Sequence, residues 1–195
     1  IFIRVGTTGA RTELVASGET LTGVTDTEAN SSFTSMGLNF DLVQIAAPLN
    51  DSNGSQIGGV LTQTYTVTNP GAAQIDFELV RYIENHMFSF GSAFNDGGGI
   101  FMSSNGVPIY FESAGAVMAG QPTIFGGITA NGGTPITTNR FEINSFASIT
   151  GRIASGGALM DVLVGDTDGD DLIDMPSFDQ EAVSYTHLRA HETTV

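Results

Sequence analysis

Five carboxylates fall within nine residues of the segment GDTDGDDLID, which runs from Gly165 to Asp174. These are Asp166, Asp168, Asp170, Asp171 and Asp174. Crowding this much negative charge raises the free energy of a loop unless water or a cation screens it. The segment is therefore either a calcium-binding loop or an acidic turn exposed to water.

The spacing of the acidic residues agrees with a twelve-residue calcium loop. Ca²⁺ takes about six to eight oxygen ligands, and such a loop supplies them from positions 1, 3, 5, 7, 9 and 12, the seventh through a backbone carbonyl. Counted from the first aspartate, the first five of these positions are Asp166, Asp168, Asp170, Leu172 and Asp174. These five residues are the predicted metal ligands, and the predicted metal is Ca²⁺. Gly169 and the apolar Ile173 at position 8 also fit the pattern.

Two positions depart from the calcium pattern. Position 6 needs a left-handed backbone and is normally glycine, whereas here it is Asp171, a residue that tolerates this conformation at a cost. Position 12, which normally carries a bidentate carboxylate, is Ser177, and Asp179 lies nearby but out of register. We therefore expect a weak site over 165–177, with water or Asp179 in place of the missing carboxylate.

The segment GDTDGDDLID also resembles the loops of dockerins and thrombospondin type 3 repeats. The resemblance implies that the loop binds calcium. The alternative, a solvated acidic turn without a bound ion, stays open at the level of the sequence.

The composition restricts the classes of partner. The chain of 195 residues has a formal net charge of −15, which disfavours binding to nucleic acid phosphates and to anionic lipid. No apolar run approaches the roughly 20 residues of a membrane helix, so we expect no membrane insertion. Cysteine is absent, which excludes disulfides, thiol catalysis and thiolate metal sites.

Alternating apolar and polar residues predict β-structure. In LTQTYTVTN (61–69) and IDFELVRYIE (75–84), most of the residues at every second position are apolar, as in half-buried strands. The Pro-Gly signal in the intervening NPGAAQ predicts that the two strands form a hairpin. The predicted core residues are Leu61, Tyr65, Val67, Phe77 and Leu79, and Asp76 and Glu78 are predicted to lie on the opposite face.

Further short runs with strand character, including 140–146 and 158–164, alternate with turn clusters such as NDGGG (95–99). No ten-residue window carries a convincing helical stripe. Short strands between turn signals predict an all-β fold, an antiparallel β-sandwich of immunoglobulin-like or jelly-roll-like type. We expect one such domain over 1–183, as a fragment of a larger protein.

The C-terminal segment VSYTHLRAHETTV (183–195) resembles translated adapter sequence that recurs at the ends of open reading frames from environmental sequencing. We therefore expect 184–195 to be a non-native tail without a stable role in the fold. His187 and His191 lie in this tail, and their i, i+4 spacing alone is a weak indication of a metal site.

The middle of the chain resembles an uncharacterised β-rich module of large secreted or cell-surface proteins of bacteria and archaea. The resemblance rests on QTYTVTN (63–69) and FELVRY (77–82) in that order, and it covers about residues 30–183. It implies an extracellular architectural domain, with other domains of the same surface protein as partners and no reaction of its own.

Three functional interpretations follow from these patterns. The first is a non-catalytic structural or adhesive module that calcium stabilises. The alternative is a carbohydrate-binding module attached to a secreted polysaccharide-degrading enzyme, with glycans as partners and aromatic residues such as Tyr110 or Phe146 as stacking groups.

An enzyme is the third interpretation. Glycoside hydrolysis needs only two facing carboxylates, and the candidates are Glu78, Glu84, Glu112 and Glu142, although any acidic domain offers such pairs. His86 is the one histidine outside the tail, and no nucleophile-elbow sequence accompanies it.

Overall fold

The computed structural model describes residues 1–83, 97–102, 106, 108–113, 125–128, 139–174 and 180–190. Within these residues the chain forms thirteen strands and one helix, which confirms the predicted all-β class. In chain order they are β1 (Phe2–Val5), β2 (Thr12–Glu13), β3 (Ser17–Val24), β4 (Glu28–Ser35), β5 (Leu38–Asn50), β6 (Gln56–Thr68), β7 (Ile75–Ile83), β8 (Gly97–Met102), β9 (Pro108–Ser113), β10 (Phe125–Ile128), β11 (Asn139–Ser145), α1 (Phe146–Ser155), β12 (Val162–Leu163) and β13 (Gln180–Ala190). None of the helical segments in this part of the chain is long and apolar enough to cross a membrane.

The chain divides into two compact units. The first comprises Ile1–Glu13 and Asp76–Arg189, and the second comprises Leu14–Ile75 and Ala190–Val195. The region over which a single domain was predicted, 1–183, thus contains two compact parts; among the described strands, the first has two sheets and the second has one.

The first unit contains two sheets. The larger one has the strand order β12-β11-β13-β7-β1-β2, and the smaller one has the order β10-β9-β8. β1 pairs antiparallel with β2 and β7, β11 pairs antiparallel with β13, and the two-residue β12 runs parallel to β11. The smaller sheet is antiparallel throughout.

The larger sheet of the first unit is covered on both faces at β11. Ile143 packs with Tyr110 and Ile128 of the smaller sheet, whereas the adjacent Glu142 forms an ion pair with Arg152 of α1. Because successive side chains of a strand point to opposite faces, α1 and the smaller sheet lie on opposite faces of β11. Inner strands of this sheet therefore bury side chains on both faces, including polar ones.

The second unit is a meander in which β3, β4, β5 and β6 follow one another in the sheet. Among the described residues of this unit, the buried apolar side chains come from β4 and β5 and include Phe33 and Phe40, whose rings stack with centroids 5.0 Å apart. β4 and β5 are joined by a tight turn in which Met36 (φ 52°) and Gly37 (φ 79°) both have positive φ, as a two-residue type I′ hairpin requires. β5 and β6 extend past β4 as a longer hairpin, with Asn50 opposite Gln56.

The predicted hairpin between residues 61–69 and 75–84 is wrong. β6 ends the sheet of the second unit, and β7 lies in the larger sheet of the first unit between β13 and β1. The turn itself forms, since Asn69 accepts a hydrogen bond from the Gly71 N–H and donates one to the Ala73 carbonyl. A local turn signal bends the chain but does not determine which strand the next one pairs with.

The predicted core residues have mixed outcomes. Phe77 is buried, at 2 % exposure, whereas Tyr65, Val67 and Leu79 are half-buried. Leu61 is 56 % exposed, so its prediction as a core residue is wrong. Leu61 pairs with Ala46, beyond the last residue of β5 that β4 pairs with, so no third strand among the described ones lies beside this pair.

The helix α1 was not expected, and the predicted strand over 158–164 shrinks to the two residues of β12. The apolar pair Ile149 and Ile153, one helical turn apart, packs against Val80. The helix ends where Gly156 adopts φ 74° and its N–H bonds to the Ile153 carbonyl. The helix is hard to recognise in the sequence because Gly151 and several Ser and Thr residues lie between and beside these two isoleucines.

The expectation that the tail takes no part in the fold differs from the structure. Residues 184–190 continue β13, and the register pairs Ser184, Tyr185 and Thr186 with Phe141, Arg140 and Asn139. β13 is an inner strand of the larger sheet. The adapter origin of 184–195 stays a prediction.

Candidate metal centre

The acidic segment follows β12 and returns along β8. The Asp174 N–H donates to the Gly165 carbonyl at 3.0 Å, which closes the loop. The Ile100 N–H donates to the Asp171 carbonyl at 2.8 Å, and the Ile173 N–H donates to the Gly98 carbonyl at 2.9 Å. Backbone bonds therefore join the second half of the loop to an edge of the smaller sheet.

Two glycines of β8 allow this close approach. A Cβ added at Gly99 would lie 2.5 Å from the Asp171 carbonyl oxygen, and one added at Gly98 would lie 3.2 Å from the Cδ1 atom of Ile173. The sequence NDGGG was predicted to be a turn; 95–96 lie outside the described residues, and Gly97–Gly99 form the start of β8. The glycines serve close packing instead of a chain reversal.

Among the described residues of the loop, one side chain is buried and fixes the loop to the core. Ile173 is 3 % exposed and packs in the cluster that contains Tyr110, Ile128 and Ile143. An apolar residue at position 8 was part of the predicted calcium pattern, and here it ties the loop to the core between the two sheets.

Three of the predicted ligands converge. Asp166, Asp168 and Asp174 each offer a carboxylate oxygen, and these oxygens lie within 4.8 Å of one another. Because Ca²⁺ binds oxygen at about 2.3–2.6 Å, two ligands of one ion can be at most about 5 Å apart. The three carboxylates are thus close enough to share a cation.

The other predicted ligands are placed differently. Asp170 is not among the converging residues, and its Oδ1 accepts a hydrogen bond from the Leu172 N–H at 2.9 Å. Leu172 is half-buried and forms an isolated bridge with Gly99. Ser177 and Asp179 lie outside the described residues. The ligand roles of Asp170 and Leu172 stay predictions.

Backbone N–H groups shape the carboxylate cluster. Asp166 accepts bonds from the N–H groups of Gly169 and Asp171, at 2.7 and 3.2 Å, and Asp168 accepts one from Asp170 at 3.2 Å. Asp174 accepts the Thr167 N–H at 2.7 Å and also the Thr167 hydroxyl. Each converging carboxylate is therefore held by the loop backbone.

The left-handed backbone predicted at position 6 is confirmed, since Asp171 has φ 65°. Its side chain is exposed. Gly169 also has positive φ, at 83°, and has open space where a side chain would be. Together these residues turn the chain sharply enough to bring the first and ninth positions of the loop together.

The pKa values of two carboxyl groups in the cluster shift in opposite directions. The negative charges of Asp170 and Asp174 raise the pKa of Asp168, and desolvation adds to the increase. The Thr167 hydroxyl and N–H instead lower the pKa of Asp174. Asp168 is thus the carboxylate on which like-charge repulsion acts, and a cation would relieve it.

The carboxylates proposed for hydrolysis have structural partners where they are described. Glu78 is 1 % exposed and binds Arg4 at 3.0 Å and Arg11 at 2.8 Å. Glu142, fully buried, binds Arg152 at 2.8 Å. Glu112 is also buried, and Glu84 and His86 lie outside the described residues.

The cluster of Arg4, Glu78 and Arg11 was missed by the sequence analysis, which placed Glu78 on the polar face of its strand. The two guanidinium groups exceed the single carboxylate in charge, and carbonyls at the C-terminal end of α1 supply the balance. Arg11 donates to the Gly157 carbonyl at 2.7 Å, and Arg4 donates to the Gly156 carbonyl at 2.9 Å. A signal was present in the six basic residues, which are all arginine, the cation best suited to buried pairing.

The aromatic candidates for sugar stacking also have defined places. Tyr110 is 7 % exposed and its ring stacks on Phe141 with centroids 4.6 Å apart, whereas Phe146 at the start of α1 is 39 % exposed. No protein family model matches the chain, and the comparison with curated proteins found no match either. Function has therefore to be inferred from the residues of this chain.

Proposed function

We propose that the chain is a non-catalytic structural module of a larger extracellular or cell-surface protein, and that calcium binding at Asp166, Asp168 and Asp174 stabilises it. The convergence of these three carboxylates in a loop bonded to the core carries the proposal. Leu172 and Asp170 complete the proposed ligand set, with water or Asp179 in the remaining positions.

The attachment of the loop explains why an ion would stabilise the whole first unit. Ile173 is part of the core, and Asp171 bonds to β8 through its carbonyl. Like-charge repulsion among the carboxylates opposes this arrangement when no cation is bound. Since an unfolded chain does not preassemble the ligands, calcium binds the native state in preference and stabilises it by mass action.

The buried glutamates support a role without catalysis. Glu78 and Glu142 are each bonded to arginine inside the first unit, where their charge stabilises packing. A carboxylate that is held in this way is not available to transfer protons to a substrate.

The placement of aromatic residues favours a structural module over a carbohydrate-binding one. Sugar-binding surfaces present aromatic faces to solvent, but of the two candidates Tyr110 stacks internally on Phe141, and only Phe146 is partly exposed. The exposed residues along one face of β6 are instead Thr62, Thr64 and Thr66. The threonines at 62–66 suit a spacer along that part of the strand.

Calorimetric titration and thermal melts test the proposal. Calcium should bind with a dissociation constant of roughly 10⁻⁴–10⁻³ M, the range of extracellular modules, and should raise the melting temperature. Asp168→Asn should abolish both effects. Asp171→Asn removes a carboxylate from the same loop and keeps a residue that tolerates positive φ, so it should leave both effects in place.

Magnesium at equal ionic strength is the control for screening. If millimolar calcium neither binds nor raises the melting temperature more than magnesium does, the loop is only an acidic turn. If the two variants lose calcium binding equally, general charge and not the converging trio is responsible.

A further inference from the structure

The hairpin formed by β5 and β6 extends from its sheet with little charge and much apolar surface. Residues 45–50 and 52–62 are all exposed. The exposed apolar side chains include Ile57 at 64 %, Leu61 at 56 % and Val60 at 45 %. Between Asp41 and Asp76 the only charged residue is Asp51, in a chain with a net charge of −15.

The edges of this meander are protected unequally. Native edge strands avoid pairing with other chains by means of charged residues, proline or bulges. β3 carries Glu19 and two register shifts, and the free part of β5 carries Pro48, which has no N–H to donate. β6 is the other edge among the described strands, and Gln56–Thr62 contains neither a charged residue nor a proline.

We propose that this edge of β6 binds a second copy of the chain, by antiparallel pairing of Gln56–Thr62 with the same segment of the partner about a twofold axis at Gly59. A twofold axis perpendicular to the sheet leaves each side chain on the same face. Directly opposed residues of the two copies must therefore be separated by an even number of positions in the sequence, and one residue lies opposite its own copy at the axis. In this register Ile57 lies opposite the partner's Leu61, and Gly58 lies opposite the partner's Val60. Each contact occurs twice, as in an isologous interface.

The register brings together the two most exposed apolar side chains of the segment. Directly opposed residues of antiparallel strands have Cβ atoms about 4.5–5.5 Å apart, so Ile57 and the partner's Leu61 would bury surface against each other. The backbone N–H and C=O groups on the free edge of β6 would be paired at the same time.

Charge favours this segment for contact between identical copies. Two chains of net charge −15 repel each other over most of their surfaces, and the repulsion is smallest where charged residues are absent. The part of this hairpin from Leu42 to Thr68 has that property, with Asp51 in its turn as the one exception. A strongly basic partner would gain nothing from this surface.

A cysteine at the proposed twofold axis tests the register directly. The chain contains no cysteine, so the Gly59→Cys variant has one thiol per copy. An added Cβ would meet only the Ala47 carbonyl, at 3.8 Å, so the substitution fits. Opposed residues of antiparallel strands have Cα atoms about 4.5–5.5 Å apart, which is within the range that a disulfide spans.

Under mild oxidation, Gly59→Cys should convert mostly to a covalent dimer. Leu21→Cys, in the protected edge strand β3 and 62 % exposed, is the matched control and should remain mostly monomeric. Equal crosslinking of the two variants, or none in either, overturns the proposed register.

Sedimentation over micromolar to near-millimolar concentrations, with chelator present, tests association without dependence on the calcium loop. The unmodified chain should dimerise reversibly, and Leu61→Lys should weaken dimerisation at least tenfold, whereas Leu21→Lys should leave it unchanged. A chain that stays monomeric at every concentration, or equal weakening by both lysines, overturns the proposal. Neither result bears on calcium binding.

Discussion

At the scale of single residues, Glu78 shows where sequence alternation fails. The period-2 pattern correctly predicts on which face of its strand Glu78 lies, but it does not predict what packs against that face. In the structure that face meets α1 and the N-terminal segment, so Glu78 is buried between Arg4 and Arg11. Glu78 on an inner strand therefore needed partners, and these are Arg4 in β1 and Arg11 before β2, in a segment for which the sequence predicted no strand.

Glu78→Gln should destabilise the protein by about 3–5 kcal/mol, because two buried guanidinium groups lose their counter-charge. The matched control is Asp161→Asn in the half-exposed Arg140–Asp161 pair, where the loss should be below about 1 kcal/mol. Asparagine also tolerates the positive φ of Asp161. Urea denaturation measures both losses, and similar values for the two variants would contradict the structural role of Glu78.

Asp168 and Asp174 should titrate on opposite sides of an ordinary aspartate, with the pKa of Asp168 above it and the pKa of Asp174 below it. Repulsion from Asp170 and Asp174 raises the pKa of Asp168, and bonds from Thr167 lower the pKa of Asp174. As pH falls, Asp168 therefore takes up its proton first, and calcium affinity should decrease because the ion needs the ionised form. Carbon NMR of the carboxyl groups in chelator measures the two midpoints, and the reverse order would contradict the loop geometry.

Positions 6 and 8 of the loop show what the sequence does predict at this scale. The left-handed backbone of Asp171 and the apolar Ile173 were predictable because a calcium loop requires a left-handed residue at position 6 and an apolar one at position 8, and both requirements concern neighbouring residues only. The separation of Asp170 from the three converging carboxylates depends on hydrogen bonds to the loop backbone, which residue types alone do not determine.

At the scale of elements, β8 is shaped by what packs against it. Gly99→Ala should destabilise the protein by at least 1 kcal/mol, since its Cβ would lie 2.5 Å from a backbone carbonyl. Gly151→Ala, an exposed position in α1 with open space around it, should instead stabilise it by about 0.5–1 kcal/mol. Thermal melts compare the two, and a neutral Gly99→Ala would mean that the loop does not lie against β8.

The errors at this scale have a common physical origin. Strand character was predictable from alternation, as for β5, β6, β7 and β11, because it reflects local geometry. The partner of a strand was not, as the separate sheets of β6 and β7 show. α1 was missed because its stability comes from the packing of Ile149 and Ile153 on Val80, and its own helix propensity is low.

At the scale of the whole molecule, the C-terminal strand β13 is an inner strand of the larger sheet of the first unit and pairs with β11. Deleting 184–195 removes residues that pair with Phe141, Arg140 and Asn139, so it should lower the melting temperature and speed amide exchange in β11. The sequence resemblance to translated adapter predicts no change. An unchanged melting temperature would therefore support the adapter origin and contradict the pairing of β13 with β11.

The all-β class was predictable at this scale because alternation and turn chemistry agree along the chain. The division into two compact units was not, since it arises where β6 and β7 enter different sheets. The turn sequence at Asn69 is the same whether the next strand returns to its own sheet or enters another one.

The burial of Arg11 has a consequence for proteolysis. Trypsin cleaves after arginine and lysine, and between Arg11 and Arg81 the chain contains neither. The second unit therefore has no tryptic site between Leu14 and Ile75, and the site on its N-terminal side is only 4 % exposed. Trypsin thus acts as a probe of the first unit alone, since release of the fragment 12–81 requires the ionic cluster around Glu78 to open first.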